Sequence, residues 1–387
     1  GLAIGTYLNW LVVAKKIRIY THRLDAITIP DFFSRRYHDE KNILMCIAAV
    51  VIIIFFIPYT ASGFAACGKL FSTLFGVNYI PAMVISAIVI VLYTAMGGFL
   101  AASTTDLIQG IVMSIALLII VFFGIHIAGG FDAVMDNARS MTGYLSLTMT
   151  HDPVSKTASP YGFLTICSTL AWALGYFGMP HILLRFMAIE DHNKLKLSRR
   201  IAVIWVVIAM GVAILIGIIG NAMTKVGAVP LLEGSASETI IVCISDLLSK
   251  HGCLAAIVAG IVLSGILAAT MSTADSQLLV SASSVAEDIF KGLLKKDADD
   301  KTVMNVSRIT VLVVAVLAYI IAWNPNNTVM GLVSNAWAGL GAAFGPLVVM
   351  SLYWKRTNFP GAVAGIVTGA LAVIIWDYIP LMGGQTL

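Results

Sequence analysis

Residues 161–188 read YGFLTICSTLAWALGYFGMPHILLRFMA. The stretch is apolar and exceeds the roughly 20 residues needed to cross a bilayer, yet Gly175, Gly178 and Pro180 interrupt it. Hydrocarbon offers a freed backbone group no partner, so a broken membrane helix is tolerated only against protein or a water-filled cavity. Trp172 and Tyr176 stand just before the break, at i and i+4, and so share one helix face. An interrupted helix that presents aromatics at its break has the pattern of a substrate site in a transporter. A helix kinked at Pro180, with buried aromatics and close-packed glycines, accounts for the same residues without a ligand. On this segment alone both readings stay open.

Composition sets the class. The 387-residue chain is 59% hydrophobic and 11% charged, a balance that means repeated membrane spans rather than a soluble core. Ten apolar segments lie at 1–14, 43–67, 80–100, 106–129, 161–188, 200–222, 252–284, 304–322, 328–353 and 361–380. The first is short and opens at Gly1 with neither Met nor a charged flank; the expectation is a helix cut in half. The whole of 1–387 is expected to be a single transmembrane domain, truncated at both ends.

Charge gives the orientation. Lys15, Lys16, Arg18, Arg23, Arg35, Arg36 and Lys41 follow the first span, and Arg185, Lys194, Lys196, Arg199 and Arg200 cluster at the end of the fifth. Lys291, Lys295, Lys296, Lys301 and Arg308 follow the seventh, and Lys355 and Arg356 the ninth. The other side keeps only Lys69, Arg139, Lys156, Lys225 and Lys250 of the 24 basic residues. The positive-inside rule then makes the loops after spans one, three, five, seven and nine cytoplasmic, in a plasma (inner) membrane. Loop three has no Lys or Arg and is placed by parity alone. The net charge of +4 reflects this topology and gives no sign of nucleic-acid binding. The five cysteines are scattered, without metal-ligand spacing, and read as small packing residues. The longer stretches 130–160 and 223–251, on the other side, have room for short helices.

Polar residues inside spans are costly, so each cluster is a candidate site. In the seventh span, AGIVLSGILAATMSTADSQLLVSASSVAED, Ala269, Ser272, Thr273 and Ser276 share one helix face. A few neutral oxygens of this kind suit a weakly held sodium ion, by analogy with other hard cations. Hydroxyls bonding back to their own helix are the bland explanation. Asp275 lies one residue before Ser276, either as a partner for an ion or facing a vestibule. In YTAMGGFLAASTTDLIQG, Ser103 and Asp106 fit a capping box, while Asp106 also suits a cation site or gate. Gly97 and Gly98 admit close backbone approach. Tyr93 is an interface aromatic or a substrate contact. In the ninth span, Pro346 predicts a bend, and Asn335 and Trp337 suit packing better than a cavity lining. His181 and Arg185, at i and i+4, are expected to anchor a helix end at the membrane interface.

Four stretches, WALGYFGMPHILLRFMA, LAATMSTADSQLLVSASSVAEDIFK, YTAMGGFLAASTTD and NPNNTVMGLVSNAWAGLGAAFGPLVVMSLYW, in this spacing resemble the sodium/solute symporter family. The resemblance runs from the first span to about residue 376. It implies an all-α polytopic membrane protein of the LeuT-like five-plus-five inverted-repeat transporter fold. It also implies that a leading helix, the first core helix and a last helix are missing from this chain. It implies sodium as the coupling ion, held by the Ala269 carbonyl and the Ser272 and Thr273 hydroxyls. It implies L-proline as the solute, bound by Trp172 and Tyr176, with Tyr93 near and Pro180 shaping the break. Some family members have a second cation site that matches Asp106, Ser272, Asp275 and Ser276; here Asp275 stands where such members have serine, which puts that site in question. The implied partners are the solute, sodium and the bilayer, with no nucleic acid and no obligate protein partner. A sodium symporter for another small organic solute and a transporter-like sensor domain are the alternatives. No HExxH, GxSxG or GxGD stretch supports an enzyme.

Overall fold

The computed structural model describes residues 1–152 and 155–378. Helix α1 (Leu2–Leu8) runs through a π-helical turn (Asn9–Ala14) into α2 (Lys15–Leu24) without a break. The first span is therefore longer than the expected 1–14, and Lys15, Lys16, Arg18 and Arg23 lie on helix rather than loop. Long basic side chains allow this, because their stems cover apolar surface while their heads reach polar surroundings. Ile17 and Thr21 turn inward, and Lys16 Nζ sits 3.3 Å from the centroid of the Tyr353 ring.

Helix α3 (Ile29–Arg36) starts at Thr28, whose hydroxyl accepts the Asp31 N–H. Helix α4 (Ile43–Phe75) stops at Gly76 in the left-handed region. Helix α5 (Tyr79–Ile127) has 49 residues, about 74 Å at 1.5 Å per residue, far more than a hydrocarbon core of about 30 Å. Gly98, at φ 64° and ψ −171°, breaks it in two, so it holds both the third and the fourth expected spans. That backbone conformation is open essentially to glycine alone. A Cβ at Gly98 would meet nothing within 4 Å, so its role is conformational, not the close approach expected of it.

Helix α6 (Phe131–Ser140) and a hairpin of β1 (Met149–His151) and β2 (Ala158–Pro160), with Thr150 opposite Ser159, fill the next connection. Then come α7 (Phe163–Gly175), a 3-10 turn (Tyr176–Gly178) and α8 (Pro180–Ala188). The segments before and after Met179 are bent by 44°. Helix α9 (Leu195–Lys225) leads to a 3-10 turn (Gly234–Thr239) and α10 (Ile240–Ser249). Helix α11 (Cys253–Ser283) continues as a π-helix (Ser284–Leu294). Helices α12 (Asp300–Ala322), α13 (Val329–Tyr353) and α14 (Phe359–Tyr378) complete the described chain. The last expected span, 361–380, ends outside the described residues.

The connections sort to two ends. Arg18 Nε donates to the Ile189 carbonyl at 2.5 Å, Arg36 Nε to Ser351 O at 3.1 Å and Asn42 Nδ2 to Gly292 O at 2.7 Å. These bonds gather the far ends of the first, fifth, seventh and ninth expected spans. At the opposite end Lys69 Nζ bonds Glu238 at 2.8 Å and the Asn327 carbonyl at 2.9 Å. Glu238 also accepts the Val329 and Met330 N–H groups at 3.1 and 3.3 Å, which caps the start of α13. Burial pushes the Glu238 carboxyl up, but the Lys69 and backbone hydrogen bonds outweigh it and leave it below the ordinary glutamate range.

The core around the break joins α3, α4, α8 and α13 through Phe33, Phe56, Phe186 and Phe344. Phe33 and Phe344 stack at 5.9 Å and 3°. The break itself packs on α13 through glycines. A Cβ at Gly178 would reach the Leu340 carbonyl and lie 2.8 Å from Gly345 N and 2.9 Å from Gly341 Cα. A Cβ at Gly341 would lie 2.9 Å from Gly175 Cα. Small residues let membrane helices approach to backbone distance.

Two outcomes follow. Gly178→Ala places its methyl group against backbone that cannot step aside, and should cost about 1–3 kcal/mol, read as a lower melting temperature in detergent. An unchanged melting temperature refutes the seam. For Glu238 the folded carboxyl is held low, so its contribution is present above the ordinary value of about 4.3 and disappears as pH falls through the lower folded value. Wild type should melt above Glu238→Gln at pH 7, and the gap should close in acid. A gap independent of pH contradicts the clasp.

Candidate functional site

Two side-chain clusters surround the break, and a tyrosine joins them. The first is aromatic. Trp172, on α7, and Tyr176, in the 3-10 turn, both reach Trp337 on α13, with ring centroids 5.8 Å and 4.8 Å apart. Their i and i+4 spacing predicted a shared face, and Trp337 is what that face meets. Trp172 and Trp337 line an apolar cavity of about 670 Å3 together with Asn335, Gly345 and Pro346. That volume is in the range of small-molecule sites, roughly 300–1,000 Å3. Pro180 opens α8 as its first residue, after Met179 in extended backbone; proline suits this place because its missing N–H would be unpaired there anyway. The break frees the Tyr176 carbonyl, and Asn9 Nδ2 on the first helix donates to it at 2.9 Å.

The second cluster is polar. On α11 the Ser272 and Thr273 hydroxyls both donate to the Ala269 carbonyl, at 3.2 and 3.0 Å. Both hydroxyl oxygens therefore lie within hydrogen-bond distance of the Ala269 carbonyl oxygen. Both hydroxyls line a cavity of about 360 Å3 with Trp10, Tyr59, Asp106 and Arg185. Among the described residues no group of three or more His, Cys, Asp or Glu side chains could hold a metal ion, so the donor set is one of mostly neutral oxygens. Hydroxyls that bond back to their own helix keep lone pairs free toward a cavity.

Beside them Asp275 is fully buried. Tyr93 donates its hydroxyl to Asp275 and shares a 2.8 Å hydrogen bond with Thr105. The structure thus brings Tyr93 to the polar cluster, on the α5 side, and it brings Trp172, Tyr176 and Pro180 together elsewhere. Asp106 and Ser276 meet at one side chain, Arg185, whose Nη2 lies 2.5 Å from Asp106 Oδ2 and 3.0 Å from Ser276 Oγ.

Two expectations are corrected here. Ser103 is not a cap: the second half of α5 begins at the Gly98 break, so Ser103 is already helical and donates to the Phe99 carbonyl. His181 and Arg185 do not anchor a helix end at an interface. The bend at Met179 turns the first face of α8 inward, so His181 packs on Phe56 and Tyr59, at 5.6 and 5.9 Å. Arg185 points at α5 and α11. Helix α13 runs unbroken through Pro346.

Tyr59 escaped the sequence reading. It lies in α4 beside Pro58, accepts the Trp337 Nε1–H at 3.0 Å and lines the cavity of the hydroxyl cluster. It therefore touches both clusters. Its signal was a phenol beside a proline in a mostly apolar span.

The profile of the sodium:solute symporter family matches residues 1–369. The chain belongs to the sodium:solute symporter family. It is 42% identical over 380 residues to a protein named sodium/proline symporter 2 from Staphylococcus saprophyticus, covering 97% of this chain and 71% of that one. It is 41% identical, with the same coverage, to the sodium/proline symporter of Staphylococcus aureus. Among solved structures it is similar to a Na+-coupled sialic acid symporter in a substrate-bound outward-open state, with a TM-score of 0.76, 18% identity, and coverage of 97% of this chain and 77% of that one. The fold is thus the LeuT-like transporter fold. The symporter is a multi-pass membrane protein that moves solutes with sodium as coupling ion, and it is not an enzyme.

Asn9→Leu tests how the symporter's broken helix is held. It leaves the Tyr176 carbonyl without its partner and should cost about 1–3 kcal/mol, measured as thermal stability in detergent. Asn9→Leu melting with wild type would mean that another group satisfies the carbonyl.

Proposed function

We propose that this chain is a sodium-coupled L-proline symporter working by alternating access in a plasma (inner) membrane. The observation that carries the reading is the convergence of Trp172 and Tyr176 on Trp337 at a broken helix, with Tyr59 linking that aromatic group to the Ala269, Ser272 and Thr273 oxygens. The names of the staphylococcal relatives support proline as the solute. The methylene groups of a pyrrolidine ring form a compact apolar surface that packs on aromatic faces, which combine large contact area with directional edges. Trp172 and Tyr176 take that ring, and Pro180 sets the angle at which Tyr176 is presented. Tyr93 belongs to the polar cluster in this reading.

Sodium is cargo. It takes the Ala269 carbonyl and the Ser272 and Thr273 hydroxyls as ligands, and neutral oxygens hold it weakly enough for release each cycle. Ion and solute drive the cycle only through different affinities for the outward and inward states; equal binding to both would shift nothing. Tyr59 lines the ion cavity and accepts from Trp337 of the aromatic group, so that filling one site changes the surroundings of the other. Movement of one helix group against the rest then opens the sites alternately. Residues 1–387 form one transporter domain, and the end that carries Arg18, Arg36 and Lys291 is cytoplasmic by the positive-inside rule.

Radiolabelled proline uptake into proteoliposomes, with and without an inward sodium gradient, tests this. Trp172→Ala should weaken the apparent proline affinity roughly 10–100-fold, the loss of about 1.5–3 kcal/mol of aromatic burial. Thr273→Ala should raise the sodium concentration needed for half-maximal uptake. Sodium-driven uptake of some other solute would defeat the proline assignment alone. Proline binding without uptake under any gradient would favour a sensor.

A further inference from the structure

At the end that carries Arg18, Arg36 and Lys291, the last turn of α2, helix α3 and the π-helix (Ser284–Leu294) wall a cavity of about 910 Å3, lined among others by Arg23, Thr28, Asp288 and Lys296. It shares no lining residue with the cavities of the aromatic and hydroxyl clusters. Its size falls in the range of small-molecule sites, roughly 300–1,000 Å3. Asp288 is 1% exposed. Its Oδ1 accepts the Thr28 hydroxyl at 2.6 Å, while its Oδ2 has no hydrogen-bond partner among the described residues. Thr28 cannot serve both oxygens, because its one proton is already given and its oxygen accepts the Asp31 N–H at 3.0 Å.

We infer that this cavity is a second binding site for a small zwitterion, a free amino acid whose ammonium group meets Asp288 and whose carboxylate meets Arg23 and Lys296. The inference rests on the proposed transport reading, which delivers L-proline to this face.

Charge is divided within the cavity. The groups that act on Asp288 include Asp31 and Glu287, both acidic. Each of these has a cation of its own: Asp31 bonds Arg35 at 2.7 Å, and Glu287 faces Lys291 at 3.7 Å. At the rim the exposed Arg23 and Lys296 make no hydrogen bond or ion pair among the described residues. A buried carboxylate with an unpaired oxygen calls for a donor that also carries positive charge, since an uncompensated buried charge is costly. The acids do not gather into a metal site among the described residues, so a group with N–H donors fits better than a bare divalent ion. An ammonium supplies such donors, and the guanidinium and ammonium heads at the rim suit a carboxylate. One small molecule that carries both groups answers both ends. The walls have the backbone of a ligand site as well. His38 and Asn42, which line the cavity, hold φ at 53° and 55°, and the facing wall is π-helical; both kinds of backbone collect at functional sites.

Equilibrium binding of radiolabelled L-proline to the purified protein in nanodiscs tests this, in potassium buffer without sodium, where the central site lacks its coupling ion. Wild type and Trp172→Ala should bind proline alike, and N-acetylproline, which lacks the ammonium group, should not compete. Asp288→Asn should weaken this binding roughly 10–100-fold, as expected for lost hydrogen bonds to a charged group. The double variant Arg23→Gln/Lys296→Gln should weaken it about fivefold, as expected for exposed charges. Adding sodium should then raise the number of prolines bound to wild type from one to two. Binding seen only with sodium, or sodium-free binding that Trp172→Ala removes and Asp288→Asn keeps, overturns the inference and leaves the transport reading intact. Sodium-free binding that depends on Asp288, in a protein that takes up no proline under a sodium gradient, upholds the site and sinks the transport reading. Proline binding in neither buffer sinks both. If Asp288→Asn does not fold, the rim variant decides: an unchanged sodium-free affinity refutes the site.

Discussion

A freed backbone group inside a membrane must find a protein partner, and the centre of this structure is arranged around one such group. The helix that ends at Gly175 resumes at Pro180, and the carbonyl released at Tyr176 is met by Asn9. The break is then held against α13 at a distance that only glycine allows, through Gly175, Gly178 and Gly341. Without the first feature the break would carry an unpaired carbonyl, and without the second it would have no wall to rest on. The aromatic group follows from both. Trp172 and Tyr176 lie next to Trp337 because the glycines bring the two helices together there.

The same bend has a second consequence. Turning the chain at Met179 sends the next turns of α8 across the interior, so that His181 packs on Phe56 and Tyr59 while Arg185 arrives between α5 and α11. One change of backbone direction thus furnishes an aromatic face on one side and a fixed positive charge on the other. Tyr59 ties the two regions through its bond from Trp337 and its place in the wall beside Ser272 and Thr273. Tyr59 is thus a physical contact through which the aromatic group and the hydroxyl cluster can influence each other.

Much of this was legible in the sequence. The apolar segments were found, because hydrocarbon imposes a length and excludes charge, although the first and second spans run on to Leu24 and Phe75, past the expected ends at 14 and 67. The break was visible as Gly175, Gly178 and Pro180, and the aromatic face as a spacing of four. The hydroxyl face of α11 was visible as helical periodicity. The misreadings share a cause. The local pattern at Ser103 and Asp106 fits a cap, but Gly98 moves the helix start upstream. His181 and Arg185 read as interface residues because their rank in sequence is near the span's end, whereas their direction depends on the 44° bend before them.

The sequence by itself determined the class, the span pattern, the asymmetry of basic charge and which segments carry polar groups into the membrane. These depend on solvation and on helical period, both of which act locally along the chain. Only the tertiary structure decided which polar groups meet: Asn9 with Tyr176, Tyr59 with Trp337, Tyr93 with Asp275, and Arg185 with Asp106 and Ser276. Each pair lies far apart in sequence and on different helices. Its geometry depends on helix crossings and bends, which are set by packing around the break and are not encoded in any single segment.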